Sequence, residues 1–276
     1  MSDGPMSVSP MSGGRVPEGR VAFRAGGYAP RQVAWASAAT LIGLLAFWQV
    51  CASLGWVSTS FASSPERIVV ALAALIRSGE LWVHLAASLR RLAIGWVVGT
   101  VAGLAVGLAL GLFTLARSPG MAVVSALFPI PKIALVPLFI IWFGIGEGSK
   151  IVTLAFGVFF PTVINTVAGV DGVPRNLIRM AQSFGLRPRS ILIKIVLPGA
   201  LPAILSGFRI TTATAIILLV AAEMIGAEHG IGAFVLQAGN LYDTDNLLAG
   251  IVVLSAIGLC VSWVLGRLER IWLRWR

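Results

Sequence analysis

From about residue 33 onward the chain is a succession of apolar runs separated by short polar breaks. Six runs, at about 33–54, 92–115, 119–143, 150–170, 204–227 and 246–266, reach the roughly 20 residues a helix needs to cross the hydrocarbon of a bilayer. Peptide groups in lipid have no water to bond, so runs of this length are expected to be helical. The pattern predicts an all-α membrane protein of about six transmembrane helices, with both termini on one side. Residues 1–30 are rich in Gly, Ser, Pro and Arg without a sustained apolar period, which predicts a disordered tail. That stretch has no short apolar core, so no cleaved secretory signal is expected. Between the first two runs, from about Gly55 to Arg91, the segment PERIVVALAALIRSG has an amphipathic period and is expected to form a helix near the interface.

Composition agrees with that pattern. Of 276 residues, 57% are hydrophobic and 12% charged, too little polar surface for a water-soluble globule of this length. The net charge of +10 sits at the ends of apolar runs rather than along one face, which suits membrane orientation and not nucleic acid. With the N-terminus in the cytoplasm, Arg15, Arg20, Arg24, Arg31, Arg117, Arg175, Arg179, Arg187, Arg189, Lys194, Arg267, Arg270, Arg274 and Arg276 fall inside. Only Arg67, Arg77, Arg90, Arg91 and Lys150 fall outside, so cytoplasmic termini in a cell (inner) membrane are expected. Lys132 and Arg209 lie within or at the edge of a run, where a long side chain can snorkel.

Few residues suggest chemistry. Cys51 and Cys260 both lie inside apolar runs and read as small hydrophobes, with no spacing for a disulfide framework or a metal site. His84 and His229 are the only histidines, and no serine has a G-x-S-x-G context, so no catalytic set is expected. GIGEGSK, Gly144 to Lys150, lacks the spacing of a phosphate loop and reads as an outer turn between spans.

The other features concern packing. Gly95, Gly99, Gly103, Gly107 and Gly111 recur every fourth residue, an advance of about 400° per step, and predict a groove for another helix backbone. Pro129, Pro131 and Pro137 remove backbone donors and predict a broken third span, with Pro131 and Pro137 as candidate pathway residues. Glu223 is the clearest carboxylate inside a run. About 19 residues beyond Ile204 at 1.5 Å each put it roughly 28 Å up the fifth span, near the outer boundary, where a structural or gating role is expected ahead of solute binding.

The stretch AQSFGLRPRSILIKIVLPGALP, Ala181 to Pro202, is too polar to span. Pro174 and Pro188 suit helix starts, Gly185 suits a C-cap, and Pro198 is expected to stop the second piece. Leu177, Ile178, Ala181 and Phe184 share one face of the first piece, and Ile191, Leu192, Ile195 and Val196 are presented by the second. A helical hairpin parallel to the cytoplasmic face is expected.

At these residues the chain resembles the permease subunits of type I ATP-binding cassette importers. Their cytoplasmic loop carries E-A-A, three residues, G, nine residues, then I-x-L-P, and Ala181, Gly185, Ile195, Leu197 and Pro198 fall in that register. Arg179 and Met180 stand at the first two motif positions. PIPKIALVPLFIIWFGIGEGSK, LPGALPAILSGFRI and AAEMIGAEHGIG extend the likeness, which looks like the nitrate, sulfonate and taurine branch. The resemblance implies a tail at 1–30, a first helix and outer segment at 31–79, and an importer core at 80–270 with a coupling loop at 174–198. It also implies a homodimer of permeases, two ATPase subunits that use the ATP, and an external solute-binding protein. No cofactor or metal in this chain is expected, and the solute implied is a small anion. The other class open to the sequence is a secondary transporter or channel, which would show repeated halves or several ionisable residues along a pathway.

Overall fold

The computed structural model describes residues 34–56 and 63–274, so the tail at 1–30 and Arg276 lie outside the described residues. By its contacts the chain divides into two units, one ending at Phe47 and one running from Trp48 onward. Helix α1, Ala34–Ser53, begins in the first unit and is apolar on all sides. In the second unit follow α2 (Pro65–Ser78), α3 (Glu80–Leu112), α4 (Thr114–Leu127), a 3₁₀ turn (Lys132–Leu135), α5 (Val136–Phe143) and α6 (Glu147–Asp171). After them come α7 (Arg175–Ser183), α8 (Pro188–Ile191), a π turn (Leu192–Val196), α9 (Leu197–Met224), α10 (Ile231–Asn240) and α11 (Thr244–Trp272).

Among the described residues, four helices are long and apolar enough to cross a membrane: α3, α6, the continuous Pro188–Met224 helix, and α11. A bent pair, α4 with the 3₁₀ turn and α5, makes a fifth, and Ala38–Ser53 in α1 is a shorter apolar helix. This agrees roughly with the six runs, but several boundaries move. The second span starts at Glu80 rather than near residue 92, so Arg90 and Arg91 belong to a helix and not to an outer loop. Glu147 to Lys150 form the first turn of α6, leaving only Gly144–Gly146 as the connecting turn. The pattern of apolar runs does not predict α10, a short helix after the fifth span.

α6 is the central element, with 56% of its span window buried against 22–33% in the other three. One reason is the glycine row on α3. A Cβ built at Gly95 would stand 2.6 Å from Leu154 Cβ, at Gly103 2.7 Å from Thr162 Cβ, and at Gly107 2.6 Å from Thr166 Cβ. At Gly99 it would overlap the Ala155 carbonyl, and at Gly111 it would press on Val170. With hydrogen in place of each Cβ, the two backbones approach closely enough for side chains of α6 to fill the groove. These partners advance in step with the glycines, so α3 and α6 run parallel. The α4–α5 pair must therefore return the chain across the bundle between them.

That return is broken, bent by 86° at Phe128–Pro131. Pro131 N-caps the 3₁₀ turn and Pro137 sits in the first turn of α5, positions where a missing N–H costs little. Lys132 Nζ turns back onto the Phe128 carbonyl that the break leaves without a helical partner, and lies 4.7 Å from the Phe128 ring centroid.

On the other side of α6, α9 runs antiparallel, with Gly169 against Ala200 and Gly207 against Asn165. α11 is antiparallel to α9, with Arg209 paired to Glu269 and Ile216 near Gly258. α2 turns Ile68 and Leu75 into the core that it shares with Leu81, Leu92, Val253 and Ile257. The bundle therefore has two chemically distinct ends. One gathers the starts of α3, α6 and α11 and the end of α9; the other gathers the opposite termini and α7.

Candidate functional site

The first end holds a buried charged latch. His84, Ser88 and Arg91 are spaced by four and three residues, which puts them on one face of α3. Opposite stands Glu223, in the last turn of α9, with 1% of its surface exposed. Its carboxylate accepts Ser88 Oγ at 2.8 and 3.0 Å, Arg91 Nη1 at 2.8 Å and the Gly232 N–H at 2.9 Å. Arg91, 3% exposed, also donates from Nε to Glu147 Oε2 at 2.9 Å and from Nη1 to the His229 carbonyl at 2.6 Å.

The connecting loops are tied to the same groups. Gly230 N–H donates to His84 Nδ1 at 3.1 Å and Ile231 N–H to Ser88 Oγ at 2.9 Å, which fastens the α9–α10 loop to α3. Lys150 Nζ donates to the carbonyls of Ile145 at 2.8 Å and Gly146 at 3.1 Å, fastening the α5–α6 turn. Gly230 has φ +140, and a Cβ there would stand 2.5 Å from Glu223 Cδ and 2.7 Å from Arg91 Nη1. Only glycine fits that position. A cavity of 350 Å³ lined by Arg91, Glu147, Lys150, Glu228 and His229 opens beside the latch.

What the latch can do is mechanical. Its charges are paired with one another, with backbone carbonyls and with a backbone N–H, an arrangement that holds three helix termini and two loops in one geometry. Sequence reasoning singled out Glu223 alone. Arg91 and Glu147 stand 132 and 56 residues away from their partners along the chain, and no local pattern links them. Pro131 and Pro137 take no part in this network; they shape the α4–α5 break.

The second end carries the hairpin. α7 begins after Pro174 and closes with a two-bond cap: Leu186 N–H donates to Ala181 O at 3.1 Å and Gly185 N–H to Gln182 O at 2.9 Å. Gly185 has φ +70, the left-handed geometry this cap requires. Ala181, 2% exposed, seats the helix in a cluster with Val173, Ile191, Val196 and Ala200. Leu177 and Phe184, expected on that same face, point outward instead, as does Met180. α7 thus has an anchored face and a second, exposed apolar one. Arg179 is exposed beside the latter.

The second arm also departs from expectation. Pro198 does not stop it: α8, the π turn and α9 form one continuous helix. The wider π turn just before Pro198 accommodates a residue that lacks an N–H and carries a bulky ring. Ile191 and Val196 are buried and Leu192 and Ile195 half-buried, while Leu197 and Pro198 open α9. Arg117, in the first turn of α4, makes a two-pronged ion pair with Asp171 at the end of α6, bracing the helices above the hairpin.

Apolar spans, a broken helix pair, a latched end and a capped hairpin at the other end define an all-α, multi-pass membrane protein. The family described as binding-protein-dependent transport system inner membrane component matches residues 99–273, and this chain belongs to it. The permease protein SsuC of Escherichia coli, assigned to aliphatic sulfonate transport, is 42% identical over 234 residues, 85% of this chain and 89% of its own length. The taurine transport system permease protein TauC of the same organism is 38% identical, covering 85% and 87%. The riboflavin transport system permease protein RibX of Chloroflexus aurantiacus is 36% identical, covering 86% and 88%. An inward-facing structure of the MetNI methionine ABC transporter shares the fold, with a TM-score of 0.61 at 24% identity over 68% of this chain and 94% of that one.

Proposed function

We propose that two copies of this chain form the membrane pathway of an importer for small organosulfonates. The solute arrives from an external binding protein, and two ATPase subunits dock on α7. The observation that carries this reading is α7 itself, anchored by Ala181 and rigidly capped at Gly185 while Leu177, Met180 and Phe184 stay exposed. A rigid helix with a free apolar face can pass a partner's movement into the bundle, where a floppy loop would absorb it. The coupling residues are Arg179, Ala181 and Gly185, with Ile195, Leu197 and Pro198 joining them to α9. Most loop cations lie at this end, among them Arg117, Arg175, Arg179, Arg187, Arg189 and Lys194, which supports a cytoplasmic placement for it and for the C-terminus. The sulfonate and taurine relatives, at 42% and 38% identity, support the solute class.

Gly185→Val tests the coupling. Nothing stands within 4 Å of a Cβ there, so the change acts through the backbone, where a β-branched residue at φ +70 costs about 1–3 kcal/mol. The protein is expected to insert and purify normally, while ATPase co-purification and solute uptake both fall about tenfold. Normal values of both would show that α7 transmits nothing. A second measurement addresses the solute. In proteoliposomes holding permease, ATPase and binding protein, taurine or a short alkanesulfonate is expected to stimulate ATP hydrolysis and riboflavin is not. Stimulation by riboflavin with no sulfonate active would overturn the assignment.

A further inference from the structure

A charged cleft lies between α9 and α11, near the end of the bundle that carries the hairpin. It encloses 490 Å³ and is lined by Arg209, Trp263, Gly266, Glu269, Arg270 and Leu273. Arg209 Nη2 bonds Glu269 Oε2 at 2.6 Å, yet its side chain is still 58% exposed. Arg270 Nε is held by the Gly266 carbonyl of its own helix at 3.1 Å. Arg267 lies over the Trp263 ring at 4.9 Å. Two guanidinium groups, those of Arg209 and Arg270, thus share the cleft with one carboxylate.

Its depth can be read from α11. Asp245, paired with Arg67, and Glu269, paired with Arg209, mark two charged levels on this helix. The 24 residues between them span about 36 Å, slightly more than the ~30 Å of hydrocarbon, so each pair lies at headgroup level. On the membrane side of the cleft, Leu259 and Trp263 continue the stripe of Gly266 and Arg270 and are exposed. The site therefore offers cations at headgroup depth, an aromatic ring at the boundary and an apolar track below.

We propose that this cleft binds an anionic glycerophospholipid, its phosphate between Arg209 and Arg270 and an acyl chain along Trp263 and Leu259. Basic pockets between spanning helices suit such headgroups. A second copy of the chain is a poorer occupant, because a twofold contact would bring two arginine-rich faces together. Glu269 competes with the lipid for Arg209 and sets how tightly it is held.

Native mass spectrometry of the full-length permease with its ATPase tests this, titrating dioleoyl phosphatidylglycerol against dioleoyl phosphatidylcholine. Phosphatidylglycerol is expected to bind at least about fivefold more tightly, and Arg209→Gln and Arg270→Gln to weaken it about fivefold each. Glu269→Gln is expected to strengthen it, an effect that loss of a purely structural ion pair would not produce. Arg270→Gln is the variant least able to disturb folding, since the hydrogen bond it loses is within its own helix. Equal binding of the two lipids, or no change in Arg270→Gln, would overturn the proposal. So would displacement of the lipid by millimolar inorganic phosphate, which would make the site one for free anions. A shift in oligomer mass in Arg270→Gln with phosphatidylglycerol binding intact would assign the face to a second copy and also overturn it.

Discussion

Arg91→Leu is expected to be among the most damaging single substitutions in this protein, lowering the stability of the purified permease by about 3–5 kcal/mol. Arg91 supplies the charge that offsets the buried Glu223 carboxylate and also binds Glu147 and the His229 carbonyl. Without it, Glu223 keeps only the Ser88 hydroxyl and the Gly232 N–H, its buried charge is left without a counter-charge, and the α9–α10 loop loses one of its ties to α3. Glu147, half exposed, can turn to water and adds less to the loss. The double variant Arg91→Leu/Glu223→Leu is expected to recover more than half of that stability, because a buried pair replaced by apolar groups leaves no charge stranded. Denaturation of the two variants in one detergent checks both statements; a single variant as stable as the parent would show the latch to be idle. Glu223→Gln keeps the shape of the side chain, but the donors Arg91, Gly232 N–H and Ser88 all converge on the carboxylate. An amide turns a donor toward one of them, so a cost of about 1–3 kcal/mol is expected, more than shape alone suggests.

Gly99→Val is expected to disrupt the bundle from its centre. A Cβ at Gly99 meets backbone of α6, with Ala155 Cα at 2.9 Å, so no rotamer change can relieve the clash and the helices must separate. Overpacking of this kind costs about 1–3 kcal/mol or more, and every contact along the α3–α6 seam weakens with it. Gly258→Ala is the matched control: its nearest neighbour, Ile216 Cδ1, stands 3.8 Å from the added atom, an ordinary contact. Membrane-inserted yield and thermal midpoint are expected to fall sharply for Gly99→Val and to stay near the parent for Gly258→Ala. Equal behaviour of the two would mean that the glycine row is not a packing seam.

Much of this protein was legible along the chain because its strongest signals are local. Apolar runs of about 20 residues, a glycine every fourth position and helix punctuation at Pro174, Gly185 and Pro188 each depend on neighbours within a few turns. Where local chemistry had two outcomes, the sequence was a poorer guide. Pro198 can end a helix or sit near its start after a widened turn, and only the path of α9 decided between them. Phe184 follows the helical period of Ala181, yet the cap at Gly185 turns it outward.

The charged groups mark the boundary most clearly. By itself the sequence determined that Glu223 lies inside an apolar run, a placement costly enough to demand partners. It did not determine which partners. Arg91 reads along the chain as one more loop cation, and Arg209 as a side chain reaching for the interface. The tertiary structure joined Arg91 to Glu223 and Glu147, and Arg209 to Glu269, because parallel α3 and α6 and antiparallel α9 and α11 bring distant turns to the same level. A helix repeats its own neighbours every three or four residues, so its pattern is written locally; an ion pair between helices depends on their relative direction and depth, which no short stretch of sequence encodes.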